Sequence, residues 1–193
     1  MRKRKAARKI PDWLLRIMAF SYRCWDRCYT RYMGLDRPQA QVAPALRIEV
    51  VAYIGKPVLL GDGTRVKFGD RVIILHLHNR IISRLDPAAA GSAFRASLKE
   101  LALLVQREPR FSRVKACRAD TIFRNIRGLG FEPRTLSPIQ EFLVRWGSRL
   151  LLVGFRQDGV AKADRYWGHE ARRNWISVSM LKEKFSTELK TSP

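Results

Sequence analysis

The chain has 193 residues, 38 Lys plus Arg against 17 Asp plus Glu, and a formal charge of +21 at neutral pH. With 46% hydrophobic residues and only 12 Gly and 9 Pro, it has enough apolar material for a core, which excludes wholesale disorder and collagen-like repeats. So much positive charge opposes compaction unless anions screen it, so nucleic acid, anionic lipid headgroups or an acidic polymer are the natural partners.

The N-terminal stretch is a basic run (Arg2, Lys3, Arg4, Lys5, Arg8, Lys9) followed by a helical pattern over residues 10–33. Ile10, Leu14, Ile17, Ser21, Cys24, Trp25, Cys28 and Tyr32 form its apolar stripe, with Trp13, Met18, Phe20 and Tyr29 beside it and Arg16, Arg23, Arg27 and Arg31 opposite. Such a helix either lies on an anionic membrane surface, with contacts from Arg4, Lys5, Trp13, Arg16, Trp25 and Arg27, or packs its apolar face on the body. Cys24 and Cys28, four residues apart, are expected as small buried apolar side chains rather than a disulfide, and the three cysteines suit a reducing cytoplasm. Asp12 and Arg16 interrupt what would be a signal-peptide core, and no apolar run approaches the roughly 20 residues of a membrane span. A cytoplasmic protein, peripheral to the inner membrane, is expected.

Residues 1–37 thus read as a basic helical arm and 38–45, rich in Pro and polar residues, as a linker. The body is expected over 46–187, with 188–193 as a tail. It opens with strand patterns at 46–54 and 71–79, joined through KPVLL, the turn GDGT and RVKFGD, which together suggest a meander. The strand RVIILHLHN is apolar on both faces at its start, which argues for a central position. Helices are expected at 79–85 and 91–107, a strand at 112–119, a short helix closed by Gly128 and Gly130, and a helix starting at Ser137-Pro138. A polar loop at 156–174, the strand NWISVS and a short helix MLKEKF complete a single α+β domain, a small mixed or antiparallel sheet flanked by helices.

His76 and His78 are two apart on one strand and point to one sheet face, where His169 would complete a three-nitrogen metal site. An anion- or ligand-contacting pair and a structural pair are the other readings; no metal and no other cofactor is expected. Nucleophile elbows and phosphate-binding loops are missing. The carboxylates Glu49, Asp62, Asp70, Asp120, Glu132, Asp164 and Glu170 show no obvious pairing, and Asp70 after Gly69 reads as a turn residue. Arg107, Arg110, Arg113, Lys115, Arg118, Arg124, Arg127 and Arg134, interleaved with Phe111, Phe123 and Phe131, resemble a basic surface with stacking aromatics. No nucleic-acid-binding motif accompanies them, so nucleic acid is a less favoured partner.

Three segments, YIGKPVLLGDGTRVKFGDRVIILHLHN, FSRVKACRADTIFRNIRGLGFE and WISVSMLKEKF, are similar in order and spacing to the YkoP-like domain of bacteria. The resemblance covers most of residues 46–186, leaves the basic arm partly outside and lacks the family's final Gly. It implies no settled activity. It does imply a cell-envelope setting, since the family occurs beside polysaccharide deacetylase and glycosyltransferase domains, and it marks Gly69, Asp70, His76, Asn79, Thr121, Arg124, Gly130 and Phe131. Of these, His76, Asn79 and Arg124 carry useful chemistry and join His78 as the candidate ligand-binding set. The first expectation is an accessory protein that binds an anionic glycan or a lipid-linked phosphate at the membrane. An enzyme of hydrolase type using His76 and His78 is the alternative, and the oligomeric state stays open.

Overall fold

A computed structural model describes residues 11–82, 84–121, 124–155 and 170–186. The chain is an α+β fold built on a six-stranded mixed sheet whose strands lie, from edge to edge, in the order β1 (Gln41–Val42), β2 (Leu46–Ala52), β5 (Arg71–Leu77), β6 (Val114–Thr121), β8 (Arg172–Ser177) and β7 (Glu132–Thr135). Helix α1 (Asp12–Tyr32) precedes β1 (Gln41–Val42) and β2 (Leu46–Ala52). A hairpin of β3 (Val58–Leu59) and β4 (Arg65–Val66) leads to β5 (Arg71–Leu77), then to the single-turn α2 (Asn79–Ile82) and the long α3 (Pro87–Arg107). After them come β6 (Val114–Thr121), β7 (Glu132–Thr135), α4 (Pro138–Phe155), β8 (Arg172–Ser177) and α5 (Val178–Ser186).

Two differences from the sequence reading concern topology. The expected meander is interrupted: β2 and β5 pair directly along seven residues, while β3 and β4 form a separate two-stranded sheet. The segment read as a linker contains a 3-10 turn, Pro38–Ala40, and the edge strand β1, whose Val42 is fully buried in the core. Apolar burial outweighs the polar composition of that stretch. Strand β5 is interior, as its two-sided apolar run requires, and pairs in parallel with β6 through the crossover helix α3. That helix starts at Pro87, four residues before the expected start, because the Asp86 carboxylate accepts from the amides of Ala88 and Ala89 at 2.8 and 2.9 Å.

Alternation along the strands divides the side chains between two faces. Ile48, Ile73, Leu75, Cys117 and Ile176 point to one, where α3 contributes Leu98, Leu101 and Val105 and α5 contributes Leu181 and Phe185. On the opposite face the hairpin covers one end, packing Leu60 and Val66 against Tyr53, Val72, Ala116 and Trp175. Asp62 in the hairpin turn ties it to the start of α5 by accepting from Ser177 Oγ at 2.5 Å and Ser179 Oγ at 2.8 Å. Gly69, at φ +84°, turns the chain into β5, and Asp70 closes that turn by accepting from the Lys67 amide at 2.7 Å. The other end of this face lies beneath α1 and α4, which pack on each other.

Helix α1 buries a different stripe from the one its apolar periodicity marks. Leu14, Met18, Tyr22, Asp26, Tyr29 and Met33 are half-buried and Thr30 is buried, whereas Ile17, Cys24, Cys28 and Tyr32 are exposed. Three of the inward side chains serve polar partners on the body. Asp26 accepts from Asn79 Nδ2 at 2.8 Å, Thr30 accepts from Arg47 Nη1 at 3.2 Å, and Tyr29 lies 6.1 Å from the His76 ring. The expected burial of Cys24 and Cys28 therefore fails, because the polar face of the sheet draws the polar side of the helix.

Candidate functional site

Between the sheet and α1 lies a layer of charged side chains from four adjacent strands: Glu49 on β2, His76 on β5, Arg118 and Asp120 on β6, and Arg173 on β8. Register brings them together. Glu49 stands opposite Ile74, which stands opposite Arg118, and Asp120 stands opposite Arg173. Each keeps between 15% and 24% of its side-chain surface accessible, so solvent reaches the layer.

Two pairings dominate. The Nε2 of His76 is 3.1 Å from Glu49 Oε2, a diagonal contact across antiparallel strands. Arg173 donates from Nε and Nη2 to the two oxygens of Asp120, both at 2.9 Å, a bidentate fork that raises its own pKa above the usual value. Arg118 has no such partner. Its Nε is buried without a hydrogen bond, and among the described residues its nearest carboxylate oxygen is 3.9 Å away on the same Asp120. Burial pushes its pKa down, against the upward pull of Asp120. Burial and then the charge of Glu49 push the Tyr29 hydroxyl up, while Arg118 draws it back, so this phenol feels both groups.

Of the sequence candidates, His76 enters this layer. His78, just past the end of β5, turns to Arg47, whose Nη2 donates to Nε2 at 3.0 Å. Accepting there makes His78 a neutral imidazole, and burial followed by the Arg47 charge lowers its pKa. Asn79 is engaged with Asp26 of α1. The two imidazoles thus serve separate partners rather than one ion, and among the described residues no cluster of three His, Cys, Asp or Glu could hold a metal. Arg124 opens the 3-10 segment Arg124–Leu129, but its side chain, like all of His169, Arg4 and Lys5, lies outside the described residues. Trp13, Arg16, Trp25 and Arg27 are exposed on α1. Of the phenylalanines read as possible stacking platforms, Phe111 and Phe131 are core residues and Phe123 lies outside the described residues.

Sequence reasoning missed the pairing of Glu49, Asp120 and Arg173 with their partners. Glu49 and Arg118 were visible as charged residues inside strand patterns, an arrangement that itself signals a polar layer, while Asp120 fell just past the strand expected at 112–119, inside the observed β6, and the strand order that joins them was not visible.

No curated protein and no solved structure matches the chain. A family of domains does, over residues 15–185. That match runs from the first turn of α1 to the last turn of α5 and contains Tyr29, Glu49, His76, Arg118, Asp120 and Arg173, and the chain belongs to the YkoP domain family.

Proposed function

We propose that this domain is an accessory, non-catalytic protein of the bacterial cell envelope that docks on the anionic inner face of the membrane through α1 and binds an anionic glycan or lipid-linked phosphate. The outer face of α1 carries the docking half of this reading. Trp13, Ile17 and Phe20 are 64%, 55% and 61% exposed, and with Cys24 and Cys28 they form one outward stripe at helical spacing. Arg16, Arg23 and Arg27 run along its edge, all exposed. Apolar rings beside a row of guanidiniums suit the boundary between headgroups and acyl chains, where burial of the rings and attraction to anionic lipid add together. The net charge of +21 has the sign this surface needs. No helix among the described residues is long and apolar enough to cross a membrane, so the reading is of a helix lying in the interface. The envelope setting is what membership of this family suggests.

Co-sedimentation with vesicles tests the reading. Vesicles containing phosphatidylglycerol are expected to pull the protein down at 0.1 M salt and vesicles of phosphatidylcholine alone are not; equal binding to both, or to neither, contradicts it. Retention by DNA or RNA at the same salt in place of vesicles would favour the nucleic-acid reading.

A second reading, an enzyme, has one observation in its favour. Glu49 orients the His76 imidazole, which is how a general base is held. Among the described residues, however, no hydroxyl or thiol is hydrogen-bonded to His76, so a nucleophile would have to come from the ligand or from water.

A further inference from the structure

The charged layer beneath α1 contains one group whose presence the fold does not explain. Arg173 and Asp120 satisfy each other, and His76 and Glu49 satisfy each other. Arg118 stands between these pairs, four-fifths buried, with an unbonded Nε, and among the described residues its nearest carboxylate oxygen is 3.9 Å away on Asp120. Removing a guanidinium from water is costly, and an apolar side chain would pack in its place at less cost. What a planar fork of donors offers in return is two parallel hydrogen bonds to an oxyanion.

The surroundings narrow the kind of oxyanion. Glu49 and Asp120 bring formal charge −2 against the two arginines, so the layer does not attract a highly charged anion; it suits a single acidic group. Glu49 shares only its Oε2 with His76, and a carboxylate has about four lone-pair sites in all, so Oε1 is open to a hydroxyl donor. Tyr29, whose ring centroid lies 6.1 Å from that of His76, brings a phenol to the layer from the α1 side as a second hydroxyl-binding group. Aromatic surface is present in the Trp25 and Tyr29 rings, stacked 5.0 Å apart, with the His76 ring tilted at 57° to that of Tyr29. Cationic fork, carboxylate acceptor, phenol and ring surface together match an acidic group carried on a polyhydroxylated body.

We infer that Arg118, with Glu49, His76 and Tyr29 around it, is a binding site for an acidic sugar, the guanidinium holding the phosphate or carboxylate and Glu49 Oε1 accepting a ring hydroxyl. The inference rests on the ligand half of the proposed function and is independent of the docking half. Since it is measured in solution without lipid, its failure leaves vesicle binding standing, and a failure of vesicle binding leaves it standing.

Titration calorimetry of the full chain with α-D-glucose 1-phosphate, D-glucuronate, D-glucose and inorganic phosphate tests it. At least one of the two acidic sugars is expected to bind saturably, which also tells phosphate from carboxylate, and glucose is not. Arg118→Gln is expected to weaken that binding at least about tenfold, the loss of a charge-assisted hydrogen bond. Glu49→Gln is expected to weaken the acidic sugar while leaving the response to inorganic phosphate unchanged. Absence of saturable binding by either acidic sugar overturns the inference, as does unchanged affinity in an Arg118→Gln variant with the wild-type circular dichroism spectrum. If Arg118→Gln does not fold, amide shifts in the wild-type chain decide: sugar-induced changes centred on Glu49, His76 and Arg118 support the site, and changes elsewhere contradict it.

Discussion

Arg173 holds both carboxylate oxygens of Asp120 at 2.9 Å, from the neighbouring strand, and so takes the acid that Arg118, two residues before it, approaches only to 3.9 Å. One carboxylate is thus divided between two guanidiniums, unequally. The bidentate pair has the geometry of a structural clamp joining β6 to β8, and the proposed ligand site falls to the excluded arginine.

Removing the shared acid leaves two guanidiniums, each with about a fifth of its side chain exposed, without the carboxylate that Arg173 grips and Arg118 approaches. Asp120→Ala is expected to destabilise the fold by about 2 kcal/mol or more. Arg118→Gln, which removes a side chain with no hydrogen-bonded partner among the described residues, is expected to cost less or to stabilise. Urea denaturation of the two variants beside the parent chain checks the order, and the reverse order contradicts the assignment of Asp120 to Arg173.

Asp62 links the hairpin turn to the start of α5 and predicts an acid-sensitive contribution. Burial alone would raise its pKa, but hydrogen bonds from Ser177, the Thr64 amide, Ser179 and the Thr64 hydroxyl outweigh it and hold the value down at about 2. An aspartate whose folded pKa lies below its unfolded value of about 3.9 adds stability above that value, and the gain fades as pH falls through the folded one. Asp62→Asn is therefore expected to cost about 1 kcal/mol at pH 7, a figure reduced for solvent exposure, and almost nothing at about pH 2. Denaturation across that range measures the convergence.

The three cysteines give a direct check on the orientation of α1. Cys24 and Cys28 are exposed on its outer face, while Cys117 lies in the core with its thiol pushed up to about 12 by burial. Two thiols are expected to react with a disulfide reagent in the native protein and the third only after denaturation. A single fast thiol, or none, would show that the helix is rotated from the orientation described.

The fold was legible where local signals suffice. The two-sided apolar run of RVIILHLHN marked β5 as interior, and Ser137 with Pro138 marked the start of α4, where the Gln140 amide reaches Ser137 Oγ at 3.4 Å. Asp86-Pro87 was an equally good start for α3, and the first helical turn beyond it, rich in alanine, carries too little apolar contrast to show periodicity. The orientation of α1 was not legible. Trp13, Ile17 and Phe20 are the more apolar stripe, yet the side that faces the body is the one offering Asp26, Tyr29 and Thr30 to Asn79, His76 and Arg47. The candidate site was visible only in fragments. His76, Glu49, Arg118 and Asp120 sit at core-flanking strand positions, but their meeting depends on β5 pairing in parallel with β6 and on β8 returning beside it, contacts between residues far apart in the chain.

The outward stripe of α1 carries the proposed docking and is simple to remove. Trp13→Ala combined with Phe20→Ala deletes two rings that make no contribution to the buried core, while Tyr22→Ala on the inward side serves as the control. The measurement is partition of each variant onto phosphatidylglycerol vesicles, with thermal unfolding of the same samples. The double variant is expected to lose at least about tenfold in partition, since each large ring entering the interface contributes on the order of 1 kcal/mol, while its Tm stays within about 2 °C of the parent. Tyr22→Ala is expected to lower Tm and leave the partition of the folded fraction unchanged. Undiminished vesicle binding by the folded double variant would contradict docking through α1.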